Sequence, residues 1–473
     1  MTSNFTNIQP LLDICTNFAV KYRIQFTVSP EKPDKSAIMI FNAKSNLRSF
    51  LANSGLQLQG KIMPIVSHYK YLGLELVESN GDILWTRHVN AIIDKAKRRS
   101  QLLLYKLRRF KGLKPRIAIN LWNSRVRAIF ESASTIWAPG LSQALINRIL
   151  KVQYDFAKGL LGVPKHTCSV HVMAELGFEP ITVRWTKLHL GYFRHLFSMC
   201  KTRMTYKIAA YLKTRADEGL CSRHSWLTKT KDIMTVQIPS LTPFWRDPTQ
   251  VAKMSKLSWK LLTYRLVEHQ MYYVNETLPN STNAQSLLPD QPSRYSHIKD
   301  FENTIINNKY SNLSDYERPG ALRLEPYLDN FQHRGDNRLK SLCRLNRLPL
   351  NYLSSVISQW NHKPDKQKKY DKIILPSCPS CTSRETLVHF LMVCPLYQMP
   401  RLQLTLQMHL LLLKPDSPIS WEQYSNMTAL EQMDILCGKL IGDPFTDSRI
   451  DRHFKKFLKT AWKIRDDHVH MDD

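Results

Sequence analysis

The sequence predicts a mainly helical protein that carries one small β-containing part near its beginning. Three observations predict it. Apolar residues recur at the 3.6-residue spacing of a helix along most of the chain. Glycine is scarce, 15 in 473 residues, so few turns of the kind that all-β folds need are encoded. Alternating runs rich in β-branched and aromatic residues are confined to residues 23–77. A hydrophobic content of 43% is that of a globular chain, and the length allows more than one core.

Residues 8–22 place Ile8, Leu11, Leu12, Cys15, Phe18, Ala19 and Tyr22 on one helical stripe. Arg23-Ile24-Gln25-Phe26-Thr27-Val28 follows and opens the β-rich part, then come a Pro- and Lys-rich turn over 29–35 and a strand over 36–41. Residues 56–66 and 69–77 read as two more strands, with a turn at Ser79-Asn80-Gly81-Asp82. A long helix follows. Trp85, Val89, Ile92, Ile93, Ala96, Leu103, Leu104 and Leu107 give it an apolar face. Its other face is basic, with ten Lys/Arg and no Asp or Glu from Lys95 to Arg116. Lys95, Lys97, Arg98, Arg99, Lys106, Arg108 and Arg109 are the residues expected to meet phosphates. A merely solvated charged surface is the competing reading.

Past Pro115 the pattern is helices with short breaks. One is expected over residues 117–137, ended by Pro139-Gly140, and another over 141–161, with Gly162 as its cap. A short helix near 170–176 leads to a longer one over 181–200. From 201 to 349 the signal weakens; residues 251–273 read as helix and 275–294 as a polar, Pro-containing insertion. The last helix places Ile450, Phe454, Phe457, Leu458, Ala461 and Trp462 on one face, for packing or for a partner. Trp122 and Trp137 also lie on apolar faces and are expected in the core.

The sharpest chemical signal is Cys378, Cys381, His389 and Cys394, with the spacing C-x2-C-x7-H-x4-C. Two thiolates two residues apart can grip one cation from a tight loop. A third thiolate and an imidazole complete a tetrahedral Zn²⁺ shell with no position left for water, so the metal is expected to be structural. Thr382 and Glu385 have capping-box spacing, which predicts a helix starting after the knuckle and carrying His389, with Pro395 ending it. Buried cysteines beside an ordinary histidine, or a redox-active CxxC pair, are the alternatives.

The net charge of +28 points to a polyanionic partner, nucleic acid first. The longest apolar run, around residues 408–413, is far short of a membrane span. No secretory leader pattern opens the sequence, and the cysteines form no disulfide framework. An intracellular protein, nuclear or cytoplasmic, is expected.

Three blocks, in this order, resemble the C-terminal portion of a reverse transcriptase from a non-LTR retrotransposon. The first is the opening helix followed by Lys35-Ser36-Ala37-Ile38-Met39-Ile40-Phe41. The second is Tyr69-Lys70-Tyr71-Leu72-Gly73, then Trp85 and His88, then the Ala-Lys-Arg-Arg helix. The third is the cysteine–histidine knuckle, with Glu385-Thr386-Leu387-Val388-His389-Phe390 and Cys394-Pro395-Leu396-Tyr397. The resemblance implies a palm remnant and primer-grip hairpin over 1–84 and a helical thumb over 85–200. A helical connection would span 201–345, a zinc-knuckle region 346–400 and C-terminal helices 401–473. It implies that Lys35 stands where a general acid protonates pyrophosphate, although Ser29 replaces the family's preceding Asn; an ordinary solvent lysine is the alternative. It implies that Tyr71, Leu72 and Gly73 support a primer end, and that template RNA and primer–template duplex are the partners.

The family's Tyr/Phe-x-Asp-Asp turn, which holds two Mg²⁺ ions in the intact polymerase, has no counterpart here. The only Asp-Asp pairs are Asp466-Asp467 and Asp472-Asp473, in the charged C-terminal end. The expectation is therefore a fragment that binds nucleic acid and does not polymerise alone, with the missing palm portion as a further partner. A free-standing helical zinc-binding interaction protein is the alternative.

Overall fold

The computed structural model describes residues 7–28, 35–41, 54–79, 82–109, 114–167, 169–221, 225–273, 324–329, 334–345, 347–351, 354, 376–438, 441 and 443–470. The polar stretch 275–294 and the turn residues 29–34 lie outside them. Among the described residues the chain is mainly helical, with three small sheets. Two compact units divide it. One comprises Met1–Lys97, Ile129–Ile149 and Tyr211–Lys229; the other comprises Arg98–Ala128, Leu150–Ala210 and Thr230–Asp473.

In the first unit, α1 (Ile8–Lys21) covers a small cluster of Val28, Leu58 and Met63, against which Leu12, Phe26 and Ile38 pack. Much of the expected α1 stripe stays outside: Leu11 and Phe18 are exposed, and Ala19 is fully buried. Strands β1 (Ile38–Met39) and β4 (Ile65–Val66) pair in parallel, and β2 (Gln57–Leu58) with β3 (Lys61–Ile62) antiparallel. No strand forms over residues 23–28. A side chain takes a strand partner's place. Gln59 accepts from the Phe26 N–H at 2.9 Å and donates to the Ile24 carbonyl at 2.9 Å. Backbone groups satisfied in that way need no ladder.

The expected strand over 69–77 is a hairpin. Strand β5 (His68–Tyr71) pairs with β6 (Leu74–Ser79), Tyr71 opposite Leu74, and β6 pairs in turn with β7 (Asp82–Ile83). The tip is Leu72-Gly73, with φ of 47° and 87°. Two consecutive left-handed residues make the tight turn whose twist suits a two-residue hairpin. Gly73 serves that conformation; a Cβ there would touch nothing within 4 Å. Helix α2 (Thr86–Arg109) follows. It buries Val89, Ile93, Ala96 and Leu107, as its pattern predicts.

In the second unit, α3 (Pro115–Trp122) opens on its proline. The single helix expected to Trp137 is broken. A π-helical turn, Asn123–Arg127, follows α3; the chain then returns to the first unit at Ile129, where Ala133, with φ of 51°, separates the short helices Ala128–Glu131 and Ser134–Trp137. Trp122 is fully buried and donates to the Ser100 hydroxyl at 3.1 Å. Helix α4 (Gln143–Leu161) enters the second unit at Leu150 and there brings Gly159 against Leu104, so closely that a Cβ would lie 2.8 Å from Leu104 Cδ1. Helices α5 (Ser169–Glu175) and α6 (Ile181–Phe197) come next, and, after shorter helices between residues 204 and 253, α7 (Lys256–Tyr273). Trp259 of α7 donates to the Leu190 carbonyl of α6 at 3.1 Å.

The C-terminal part is arranged around its last helix. Helix α8 (Arg334–Arg344), α9 (Gln398–Leu412) and α10 (Ala429–Cys437) all pack on α11 (Pro444–His470). The apolar face of α11 is spent on that packing: Phe454 and Ala461 are fully buried, and Ile450, Phe457 and Leu458 nearly so. Buried charges on these helices are neutralised by opposite ones. Asp451 accepts from Lys340 at 2.6 Å and from Lys455 at 2.7 Å. The Arg344 Nε donates to both oxygens of Glu175 at 2.9 Å. No described helix is long and apolar enough to cross a membrane.

Candidate metal centre and basic surface

Cys378, Cys381, His389 and Cys394 come together, with their ligand atoms all within 4.8 Å of one another. The sulfurs of Cys378 and Cys394 are 3.7 Å apart, and Cys381 Sγ is 3.2 Å from His389 Nε2. A tetrahedral Zn²⁺ with bonds of about 2.3 Å to sulfur has sulfur–sulfur edges of about 3.8 Å. The donor set and its spacing therefore fit one tetrahedral, thiolate-preferring cation.

The chain shapes the site locally. Residues 377 and 384 form a β-bridge, and the Cys378 N–H donates to the Ser383 carbonyl at 2.7 Å, which closes the CxxC loop. The capping box expected of Thr382 and Glu385 does not form. Thr386 is the cap instead, its hydroxyl accepting from the His389 N–H at 3.1 Å. Residues 387–388 begin a helix that widens into a π-helical turn, His389–Val393. Cys394 leaves it with its N–H donating to the His389 carbonyl at 2.8 Å. Pro395 then begins a new turn, as expected of a helix stop.

Glu385 has other work. It is 1% exposed and takes a two-pronged hydrogen bond from Arg465 of α11, at 2.7 and 2.9 Å. It also accepts from the Asn351 N–H at 2.6 Å, while the Asn351 side chain donates to the Ser377 carbonyl at 2.9 Å. Arg401 of α9 donates to the carbonyls of Leu391 and Cys394, both at 2.9 Å. Phe390 packs edge-on against Tyr397 and Trp462. The knuckle is thus locked to α9 and α11. No sequence pattern reveals Arg465 as the partner of Glu385, because eighty residues separate them.

The electrostatics suit a cation. Burial pushes the Cys394 thiol up to about 12, and the thiols of Cys378 and Cys381 add to it. Three sulfurs this close cannot all carry negative charge without a compensating ion. Burial also lowers the His389 imidazole below its ordinary value, with Arg401 acting in the same sense against Glu385. Its neutral form, the one that binds metal, is therefore favoured.

The expected nucleic-acid residues are distributed as follows. On α2, Lys95, Arg98, Arg99, Lys106 and Arg109 fall on one side by helical spacing, opposite buried Val89, Ile93, Ala96 and Leu107. All five are exposed, and exposed Leu102 and Tyr105 lie between them. Lys97 is exposed on a different side, and the Arg108 side chain lies outside the described residues. Arg99 donates to the Arg125 carbonyl at 3.1 Å. At the hairpin tip, Tyr71 is 57% and Leu72 84% exposed.

Behind the tip, His88 of α2 accepts from the Glu75 N–H at 3.4 Å and lies edge-on to Trp85 and Trp137. The hydrogen bond from Glu75 is what ties the hairpin to α2, and the aromatic contacts hold the His88 ring that accepts it, a role the sequence does not assign to His88. Burial holds the His88 imidazole below its ordinary value, the Glu75 carboxylate opposing and Lys70 reinforcing it. Lys35 is exposed, and its carbonyl accepts from the Tyr69 hydroxyl at 2.9 Å. The Asp466-Asp467 pair lies on α11. The chain matches no family model, no curated protein and no solved structure.

Proposed function

We propose that this chain is a nucleic-acid-binding portion of a reverse transcriptase of the non-LTR retrotransposon kind, built on a structural zinc centre. The observation that carries the reading is the exposed cationic side of α2, with Leu102 and Tyr105 interleaved, on a helix whose other side buries Val89, Ile93, Ala96 and Leu107. Such a side offers phosphates several contacts at once and bases an aromatic surface. The exposed Tyr71-Leu72 tip, set on α2 by His88, supports a contact at a primer end. Lys35, exposed and flexible in reach, is at most an accessory acid. With no Tyr/Phe-x-Asp-Asp turn in the sequence, the chain binds and positions, and Mg²⁺-dependent polymerisation requires the missing carboxylates.

Binding of RNA or of an RNA–DNA duplex should weaken steeply with salt. Neutralising five phosphates gives a slope of log affinity on log salt near about −4. A flat titration removes the proposal. Primer extension by this chain alone should give no product.

The metal is zinc in this reading, held by Cys378, Cys381, His389 and Cys394 as a closed structural site. The purified protein should contain about one Zn²⁺ per chain by atomic absorption, and Cys378→Ser should lose it. Metal-free protein with unchanged stability would contradict this assignment. The second reading, a zinc-built interaction protein without nucleic acid, has one observation in its favour, the lock between the knuckle and α11. Zinc without salt-dependent nucleic-acid binding would select it.

A further inference from the structure

Helix α9 (Gln398–Leu412) is apolar on two opposite sides. One side, with Pro400, Leu404, Met408, Leu411 and Leu412, is buried. The other carries Met399, Leu402, Leu406 and Leu410, and Leu413 continues it at the helix end; these five are 53–66% exposed. By helical spacing they form one narrow stripe, on the side away from the packed residues. An ordinary surface helix has a single apolar side. The second stripe has no partner within the second unit among the described residues, and its area is that of the largest apolar patch on a typical monomer, which is often functional.

Two features identify the occupant as a second copy of this chain. The spacings between successive stripe residues are three, four, four and three. That order is the same read in either direction, with Leu406 at its centre. An antiparallel copy related by a two-fold axis at Leu406 therefore sets Met399 against Leu413 and Leu402 against Leu410, and Leu406 against the partner subunit's Leu406. Such self-complementarity is what a two-fold interface requires.

The second feature is charge. The chain carries +28 overall, yet α9 contains one Lys or Arg and no Asp or Glu. That residue, Arg401, is turned to the Leu391 and Cys394 carbonyls. Gln403, Gln407, Thr405 and His409 flank the stripe, so two copies meet without like-charge repulsion. Lys414, the exposed cation at the stripe's end, lies over the Phe445 ring, so the stripe offers a nucleic acid no row of phosphate contacts. Antiparallel helix dipoles also attract weakly.

The area is sufficient. The five side chains present about 500 Å² per copy and so about 1,000 Å² for a pair, the lower bound for a specific interface. We propose that the outer side of α9 is the surface through which two copies of this chain associate, antiparallel about Leu406.

Sedimentation equilibrium of the full chain tests this, after nuclease treatment and in high salt so that nucleic acid cannot bridge copies. At about 50 µM, where a micromolar interface is populated, a two-chain species is expected. Leu406→Glu should weaken it at least about tenfold, as loss of a central apolar anchor does. Because Leu406 is 56% exposed, the variant should keep the thermal midpoint of the wild-type protein at dilutions where both are single chains. Gln403→Glu, beside the stripe, should leave association intact. Leu402→Cys mixed with Leu410→Cys should form interchain disulfides under mild oxidation faster than either variant alone. A single-chain wild-type protein at that concentration overturns the proposal, as does a dimer that Leu406→Glu leaves unchanged. Equal cross-linking of the mixed and separate cysteine variants overturns the antiparallel pairing.

Discussion

Glu385 and Arg465 are worth more to this protein as a pair than either is alone. Both are nearly inaccessible, at 1% and 6% exposure, and each prong of their contact is under 3 Å. Taking two charges out of water costs several kcal/mol, and the Coulomb attraction offsets that only while both remain. Glu385→Gln should therefore destabilise the chain by about 3 kcal/mol in urea unfolding, since it leaves Arg465 charged and buried. Arg465→Met alone should do similar damage. The double variant should recover part of the loss, because no charge is then stranded; a double variant whose loss equals the sum of the two would show that the pair is not coupled. Leu72 is a different kind of residue. It holds a left-handed conformation that costs a non-glycine about 1 kcal/mol, and it is 84% exposed. Packing gives nothing back, which is why the proposal assigns this tip a contact with something outside the chain.

Elements differed in how much of them could be read in advance. The apolar face of α2 and the Pro395 stop follow from local chemistry, periodicity in one case and a missing N–H in the other, and both formed as expected. The four-residue metal cluster was legible for the same reason, since a CxxC loop and a helical turn bring their donors together without help from afar. Residues 23–28 were not legible, because their hydrogen-bond partner is the Gln59 side chain. The knuckle helix shows the same limit. Thr382 and Glu385 have capping-box spacing, but a long-range demand from Arg465 and Asn351 takes the glutamate, and the start of the helix moves to Thr386. The two readings of this start are separable. Thr386→Ala should cost about 1 kcal/mol, the usual worth of a cap, and exposed Thr382→Ala should cost nothing measurable in the same denaturant titration. The reverse result would restore the capping box.

At the scale of the whole molecule the question is whether +28 is a diffuse charge or an organised one. A diffuse excess attracts any polyanion, and each lysine removed weakens binding by a similar amount. An organised surface concentrates the effect. Lys95, Arg98, Arg99, Lys106 and Arg109 share one side of α2, and that region of the sequence has no acid from Lys95 to Arg116. Five buried or half-buried cations elsewhere, Lys340, Arg344, Arg401, Lys455 and Arg465, are drawn into ion pairs and carbonyl contacts. Two triple variants with equal net charge decide the matter. Arg98→Ala, Lys106→Ala and Arg109→Ala together remove three cations from the α2 side. Lys151→Ala, Lys253→Ala and Lys463→Ala remove three exposed cations from other helices. In filter-binding titrations against salt, the first set should flatten the slope by about 2 to 3, and the second by well under 1. Equal changes in both would mean that the chain binds by bulk charge alone, and α2 would then be only the most basic part of a uniformly basic surface.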